Sequence, residues 1–466
     1  MNLHKPWRKE SLSARWKLFL AITLLSGLIL RLIYTEDMEW KEDEYYDFVQ
    51  TQLIGHSRPW PWAGMNSGVY LANPGMSVWV FVCLARLARA TDPIALQRAL
   101  SFFAWLGIAL LIPFALYFVK RGTSPQSDNR ESWLWACAFA MVNPFGVYID
   151  RKLWPQGFFP FFSTLMIAGW WKRDRAWGAF LWGCVGAMLG QIHMSGFFLE
   201  GALFLWTALF DQKAIPKVRV RWLWWFIGSC AGAWPLIPWY LHVLKNPPPG
   251  QVLSGTWGDV LQFKFWVFWV TDSLGLHLGN PLGLMRGGSV WAQISDFVRY
   301  PVIGGTATYL CGIAHALALV SGCWIIFSGL FRRGRQLFAR EARVQWLFAR
   351  KVSQTAFAQK AALWGYGILL TATRVNIRRY YMRVSFPFEQ IWLVRLALSH
   401  NPNRQAGRIA LFLLWFAQLL ISAHFVGYIH VNQGSLQGDY GEAYHVIRDR
   451  HQAQTGESWP DLKLIQ

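Results

Sequence analysis

Several acidic side chains that could accept a proton lie close together near the start of this sequence. The segment WKEDEYYDF contains Glu42, Asp43, Glu44 and Asp47 within six positions, between aromatic residues. A carboxyl group half-buried at a membrane surface has a raised pKa, and a raised pKa suits a general base. The alternative is a solvated acidic loop, which is the usual role of such a cluster. Asp43 is the first candidate for a base and Glu44 the second.

Two pairs of basic residues could bind a phosphate group. Arg151 and Lys152 follow an apolar segment in YIDRKLWPQ, and Arg378 and Arg379 precede two tyrosines in RVNIRRYY. A guanidinium group presents a planar set of donors that matches phosphate oxygens. The alternative is that these side chains extend from helix ends to lipid headgroups.

A histidine lies between two further apolar segments, in QIHMSG, which contains Gln191 and His193. A lone histidine near a membrane face is more often structural or a headgroup contact. No second histidine or carboxylate stands at the spacing of metal ligands, so the sequence predicts no metal site there.

The elements that position these residues are predicted to be membrane helices. Of the 466 residues, 54% are hydrophobic and 15% are charged, and the mean hydropathy is +0.23. A soluble domain has roughly a quarter charged residues. The net charge of +20 comes from Lys and Arg in short runs between apolar segments. That distribution is typical of cytoplasmic loops and, without a recognition motif, argues against a nucleic-acid-binding protein. The six Cys lie in apolar segments without a CxxC, which indicates core residues.

Because a span needs roughly 20 apolar residues, the sequence predicts an all-α polytopic protein of about eleven spans. The first is interpreted as an uncleaved span rather than a signal peptide. The predicted spans are 16–34, 97–119, 132–148, 156–171, 176–192, 195–210, 222–242, 304–331, 355–373, 380–398 and 409–428. The segment 69–90 is predicted to lie along the outer interface as an amphipathic helix.

Two modules are expected from this organisation. Residues 1–210 form a catalytic transmembrane module with an acidic outside loop at 35–96. Residues 211–466 form a second transmembrane module. Its connections are an outside loop at 244–303, a basic cytoplasmic region at 332–354 and an outside tail at 429–466. The basic residues at 151–152 and 374–379 fall on the outside, where the positive-inside rule disfavours them, so they need a functional reason.

The order of these motifs resembles the GT-C fold glycosyltransferases, which use lipid-linked donors. The similarity is greatest to the bacterial branch related to protein mannosyltransferases and to lipid A and core sugar transferases, glycosyltransferase family 39-like. It covers residues 15–210 well and 375–400 weakly. The matching runs are Asp43-Glu44-Tyr45-Tyr46, Asn73-Pro74-Gly75 as a partial match to His-Pro-Pro, Arg151-Lys152-Leu153-Trp154-Pro155-Gln156, and Arg379-Tyr380-Tyr381 followed by Pro387.

This resemblance implies an inverting transfer of a sugar from a polyprenyl-phosphate donor to a lipid, glycan or protein acceptor. The expected place is the outer face of a bacterial cytoplasmic membrane. Asp43 or Glu44 would be the base, and an apolar groove under the 69–90 helix would receive the polyprenyl chain. The donor phosphate would bind Arg151, Lys152, Arg378 and Arg379. Other candidate substrate contacts are Tyr46, Asn73, Gln156, Gln191, His193 and Tyr381.

The chain departs from the family pattern at Gln156, where metal-binding members have an acidic ligand. The resemblance therefore implies no cofactor, and a divalent metal is disfavoured.

Three alternatives remain open from the sequence. A transporter or lipid flippase would carry ionisable residues at the middle of its spans, where this chain has few. A polysaccharide polymerase or ligase would carry a large outside loop late in the chain, and 244–303 is a modest one. In a non-catalytic scaffold, the acidic and basic motifs on the outside would have no shared function.

Overall fold

The computed structural model describes residues 12–67, 71–119, 130–215, 217–247, 263–276, 278, 296–338, 352–399, 404–435 and 440–456. Helices α1 to α8 span Ala14–Leu32, Glu42–Leu53, Met76–Ala88, Pro93–Ala109, Leu111–Tyr117, Arg130–Val142, Pro144–Asp150 and Phe159–Trp171. Helices α9 to α13 span Ala176–Ile192, Ser195–Phe210, Trp222–Ala233, Leu236–Lys245 and Lys264–Leu274. Helices α14 to α19 span Leu310–Phe338, Gln354–Lys360, Gly367–Ala372, Phe388–Ser399, Arg404–Val431 and Tyr444–Thr455.

Short elements connect these helices. The 3₁₀ segments are Thr35–Asp37, Pro155–Phe158, Asp211–Lys213 and Arg379–Ser385, and a π-helical turn covers Ala361–Tyr366. The strands β1 to β6 are Ala63–Asn66, Ala72–Pro74, Ala214–Ile215, Val302–Ile303, Thr306–Ala307 and Val352–Ser353. They form three two-stranded pairs, β1–β2 and β4–β5 antiparallel and β3–β6 parallel. The predicted all-α class is confirmed.

The long apolar helices identify a multi-pass membrane protein. Three stretches in the described ranges are long and apolar enough to cross a membrane: Pro93–Tyr117, Leu310–Arg332 and Arg404–Val431. A fourth is the pair α6 and α7, which bends by 59°. These four correspond to the predicted spans 97–119, 132–148, 304–331 and 409–428. Of the remaining predicted spans, 16–34 corresponds to α1, which has 19 residues, and the others fold as shorter helices. The count of eleven therefore stays a prediction.

Several of the shorter helices differ from the predicted spans for local reasons. The predicted span 222–242 divides into α11 and α12 beside Pro235, and the segment 355–373 consists of three short helical pieces. The segment 69–90 contains strand β2 and then α3. At 1.5 Å per residue, the 13 residues of α3 extend about 20 Å, which is shorter than a bilayer core of about 30 Å. Its orientation along the interface stays a prediction.

The bend between α6 and α7 sets the position of the loop that follows. Pro144 occupies the first turn of α7 and has no N–H group, so it ends the hydrogen-bond ladder of α6. The Asn143 side chain accepts a hydrogen bond from the Gly146 N–H group at 3.0 Å and caps α7. The bend therefore brings Asp150 and the residues after it into the protein interior.

Helices α9 and α10 begin and end where the sequence predicts, and α9 packs closely against α11. A Cβ atom on Gly228 would lie 2.1 Å from the Phe180 carbonyl oxygen, and one on Gly232 would lie 2.3 Å from that of Cys184. Small residues permit such close helix contacts in membranes. The contact fixes α9, and His193 lies at the end of that helix.

A buried ionic cluster joins three distant parts of the chain. Asp150 contacts Arg31 at 2.8 Å and Arg383 at 2.7 Å, and all three side chains are at least 96% buried. Arg31 comes 119 residues before Asp150, and Arg383 comes 233 residues after it. The cluster therefore holds the 3₁₀ segment Arg379–Ser385 beside α1 and α7.

The C-terminal helix α19 returns to the first loop. Asp37 contacts the His430 Nδ1 atom at 2.8 Å and the His445 Nδ1 atom at 3.1 Å. The Tyr440 hydroxyl donates to the backbone carbonyl of Asp37. The predicted tail at 429–466 is thus packed, over its described residues, on the loop that leads to the acidic helix.

Candidate functional site

The acidic cluster occupies the first turns of helix α2. The Lys41 N–H group donates to the Glu44 carboxylate at 3.0 Å, which satisfies a donor at the start of the helix. Burial raises the pKa of Asp43 and raises that of Glu44 to about 7. Burial also raises the pKa of Asp47 well above its usual value, and its neighbours Asp43 and Glu44 add to the effect. Asp43 is half-buried whereas Glu44 and Asp47 are buried, so Asp43 is the most accessible carboxylate of the three.

Lys152 lies among these carboxylates. Its ammonium group is 2.9 Å from a Glu39 oxygen, 3.6 Å from a Glu44 oxygen and 1% exposed. It is also 3.3 Å from the Tyr148 hydroxyl and 3.3 Å from the centre of the Trp154 ring. The sequence predicts a phosphate-binding role for Lys152, but the structure places its charge against the acidic helix. Sequence reasoning missed Glu39, whose only signal was its position directly before the acidic segment WKEDEYYDF.

An aromatic cluster continues from Trp154 to the end of α9. The Trp154 and Tyr380 ring centres are 5.4 Å apart, and Tyr380 lies edge-on to Tyr381 at 4.9 Å. His193 is 5.9 Å from Tyr380 and 5.5 Å from Tyr381. Lys152, which contacts both the Trp154 ring and the Glu44 carboxylate, connects this cluster to the acidic helix. Four motifs that lie far apart in the sequence therefore meet here: the acidic helix, the Lys152 loop, His193 and the segment that contains Tyr380 and Tyr381.

The ionisation of His193 is set by its surroundings. Burial lowers its pKa to about 4, so the ring is neutral at neutral pH. Its Nδ1 atom is 2.8 Å from the Ser195 hydroxyl. A neutral imidazole in this position orients neighbouring groups and does not supply positive charge to a phosphate.

The two arginines of RVNIRRYY differ in their partners. Arg379 donates to Asp272 and to the Thr271 hydroxyl, and its guanidinium lies 4.5 Å from the Phe268 ring centre. Arg378 is exposed, and within the described ranges no carboxylate pairs with it. The Arg378 guanidinium is therefore accessible and pairs with no described carboxylate, whereas the contacts of Arg379 anchor the segment.

The Arg379 partner, Asp272, is a residue that sequence reasoning did not single out. Burial raises the pKa of its carboxyl group to about 7, against the opposing effect of Arg379. The Asn143 side chain donates to the backbone carbonyl of Asp272 at 2.8 Å. The contact with Arg379 thus joins α13 to the start of the 3₁₀ segment.

Arg151 has a structural environment. Its guanidinium is buried and donates to the carbonyls of Leu30, Ile33 and Tyr34 at 3.0, 2.7 and 2.8 Å. These are unpaired carbonyls at and beyond the end of α1, where positive charge is stabilising. The Arg151 guanidinium therefore caps the end of α1, where the sequence predicts a contact with phosphate.

The remaining candidate residues occupy separate positions. The Asn73 side chain donates to the Met65 carbonyl at 3.0 Å within the β1–β2 pair, and Gln191 donates to the Gly232 carbonyl at 2.6 Å. Tyr46 is half-buried on α2. Gln156 is 4% exposed, and its side-chain oxygen has no hydrogen-bond partner in the structure. Of these, Gln156 lies in the loop that carries Lys152 and Trp154.

An apolar groove lies beside helix α3. It has a volume of about 780 Å³ and is formed by α3, α4 and the end of α1. Its lining residues are Leu32, Leu84, Leu87, Ala88, Ala95, Arg98, Ala99, Phe102, Phe103 and Leu106. Arg98 is its charged member, and the Arg98 Nε atom is 3.4 Å from the Thr35 hydroxyl. The groove occupies the place that the sequence predicts for a polyprenyl chain.

Comparison with known proteins finds similarity only at the level of structure. No protein-family model matches the sequence, and no curated protein matches it. The oligosaccharyltransferase of Archaeoglobus fulgidus, tethered to an acceptor peptide, aligns with 88% of this chain at 14% identity and a TM-score of 0.43. ArnT from Cupriavidus metallidurans aligns with 89% at 13% identity and a TM-score of 0.42. AglB from Archaeoglobus fulgidus, in complex with an inhibitory peptide and a dolichol-phosphate, aligns with 98% at 13% identity and a TM-score of 0.40. The chain spans 55%, 78% and 59% of those three chains, respectively.

Proposed function

We propose that this chain is a GT-C-type inverting glycosyltransferase. It moves a sugar from a polyprenyl-phosphate donor to an acceptor hydroxyl at the outer face of a cytoplasmic membrane. The observation that carries the proposal is the convergence of the acidic helix, the Lys152 loop, His193 and the Arg378–Tyr381 segment. Glycosyl transfer needs a base and a phosphate-binding cation at opposite sides of one sugar, and this cluster offers both.

Asp43 is the base in this proposal. The acceptor hydroxyl oxygen attacks the anomeric carbon and forms the new C–O bond, and its proton passes to the Asp43 carboxylate. The raised pKa of Asp43 strengthens it as a proton acceptor near neutral pH. Glu44 is buried and occupied by contacts with Lys41 and Lys152, so it supports Asp43 and does not meet the acceptor.

Arg378 stabilises the leaving group. The C–O bond between the sugar and the phosphate breaks, and its electron pair leaves with the polyprenyl phosphate. The developing negative charge needs a cation whose donors are not already used. Arg378 is exposed at the edge of the cluster, whereas Arg151 and Arg379 are engaged within the protein.

The apolar groove beside α3 supports a donor with a long hydrocarbon chain. Burial of a CH₂ group is worth about 0.8 kcal/mol, so several isoprene units in this groove would contribute strongly to binding. The Arg98 side chain at the groove offers a positive charge to a lipid phosphate on its way to the site.

The test is transfer by the purified protein in nanodiscs. The protein is incubated with labelled polyprenyl-phosphate sugars and with lipid, glycan and peptide acceptors. Asp43→Asn is expected to lower turnover by about 100-fold or more, because it removes the base. Glu42→Gln is the matched control, since Glu42 is exposed one position earlier on the same helix and should keep full turnover. Equal turnover of the two variants would refute the assignment, and no transfer from any donor by the unaltered protein would refute the function.

A further inference from the structure

The residues of the acidic site do not fit a divalent metal ion. Among the described residues, no group of three or more His, Cys, Asp or Glu side chains is arranged to hold a metal. Oxygen atoms of Glu39 and Glu44 that could serve as ligands face the Lys152 ammonium instead. A hard cation such as Mg²⁺ requires several oxygen ligands about 2.1 Å from one point, and the ammonium occupies that space.

Lys152 is held firmly in this position. Its three donors face a Glu39 oxygen at 2.9 Å, the Tyr148 hydroxyl at 3.3 Å and the Trp154 ring at 3.3 Å. The Tyr148 hydroxyl itself donates to Glu39 at 2.9 Å, which closes the network. With 1% of the side chain exposed, the ammonium cannot turn towards solvent without breaking all of these contacts.

The charges around Lys152 also argue against a bound metal ion. Glu39, Asp43 and Glu44 place up to three negative charges around Lys152, and Lys152 is the buried cation that lowers the pKa of both Asp43 and Glu44 against the effect of burial. Gln156, in the same loop, is a neutral amide and adds no negative charge. The fixed Lys152 ammonium therefore supplies, among these carboxylates, positive charge of the kind that a metal ion would supply.

We propose that Lys152 is the resident cation of this site and that the site works without a divalent metal ion. The role of the Lys152 charge in this proposal is to keep Asp43 ionised as the base, and only that role rests on the proposed function. The metal part of the proposal concerns binding alone, so it can be tested without any transfer reaction.

Manganese binding provides the test. Mn²⁺ is titrated into purified protein and the free ion is followed by electron paramagnetic resonance. The unaltered protein should bind no Mn²⁺ in the site at submillimolar concentration. Lys152→Met removes the positive charge and keeps a long side chain. This variant should bind one Mn²⁺ at least tenfold more tightly than the unaltered protein does. Adding Glu39→Gln to Lys152→Met should abolish that binding.

Lys41→Met is the matched control. Lys41 contacts the same Glu39 carboxylate at 2.6 Å but is 46% exposed, so its loss should not create a Mn²⁺ site. Binding by Lys152→Met that equals binding by Lys41→Met would overturn the proposal. So would binding by the unaltered protein that disappears in Glu39→Gln.

A second measurement covers the case in which Lys152→Met does not fold. The melting temperature of the unaltered protein should be the same in EDTA and in millimolar Mn²⁺, because a metal that binds only the native state would raise it. A Mn²⁺-dependent rise that Glu39→Gln removes would overturn the proposal. Failure of the transfer assay with these binding results intact would reject the proposed function and leave the lysine assignment standing.

Discussion

Removal of Asp150 should be among the most damaging single changes in this protein. Asp150 contacts Arg31 at 2.8 Å and Arg383 at 2.7 Å, and neither Arg31 nor Asp150 has any exposed side-chain surface. At an effective dielectric constant of about 20, each contact provides about 6 kcal/mol of attraction. Desolvation and repulsion between the two guanidinium groups offset most of this. Removing one partner of a buried pair nevertheless costs about 3–5 kcal/mol, because the remaining charges are left unpaired.

The assay is thermal unfolding of Asp150→Asn in detergent. Glu131→Gln is the control, since the Glu131–Arg408 pair has a similar contact distance of 2.7 Å but its arginine is 50% exposed. An exposed pair contributes about 1 kcal/mol at most. The double variant Asp150→Asn/Arg383→Met should recover part of the loss, because it removes one unpaired charge. An Asp150→Asn variant as stable as Glu131→Gln would refute the reasoning.

Three further predictions concern the site and the groove. Burial raises the pKa of Glu44 from 4.5 to about 7, so the native state binds the proton more tightly than the unfolded state. The unfolding free energy should therefore fall by about 3 kcal/mol as the pH rises from below 4.5 to above 7, and Glu44→Gln should remove that part of the slope in pH-dependent melting curves. Arg378→Ala should raise the KM for the donor about tenfold without loss of stability. Arg151→Ala should instead lower the melting temperature. The opposite pattern would mean that Arg151 binds the donor and Arg378 stabilises the fold. Leu87→Glu should weaken long-chain donors about tenfold more than short-chain ones in competition assays, and Leu223→Glu, an exposed leucine of α11, should not.

The sequence pattern predicted features that depend on local order. Helices α9 and α10 begin and end at the predicted residues because apolar length and a short polar connection determine them. The acidic helix, His193 and the Arg378–Tyr381 segment were also identifiable, since each motif is a run of neighbouring residues.

Pairing between distant residues was not predictable in the same way. Arg151 reads as a free cation in the sequence, yet its partners are carbonyls about 120 residues earlier. Lys152 contacts the carboxylate of Glu39, and Arg379 contacts the carboxylate of Asp272. Each partner lies more than 100 residues away along the chain. The charge of a side chain is visible in a sequence, but whether that charge is already neutralised depends on tertiary packing.

The Arg31–Asp150–Arg383 cluster also bears on how the protein is made. A ribosome has already synthesised Arg31 when it completes Asp150, so the first ion pair of the cluster has both of its partners early in synthesis. Arg383 arrives 233 residues later and brings Tyr380 and Tyr381 with it. The nascent chain therefore holds its acidic residues and Lys152 long before the remaining side of the cluster exists. Assembly of the site is therefore a late event in synthesis, and a chain that ends before Arg383 would be unable to form the complete site.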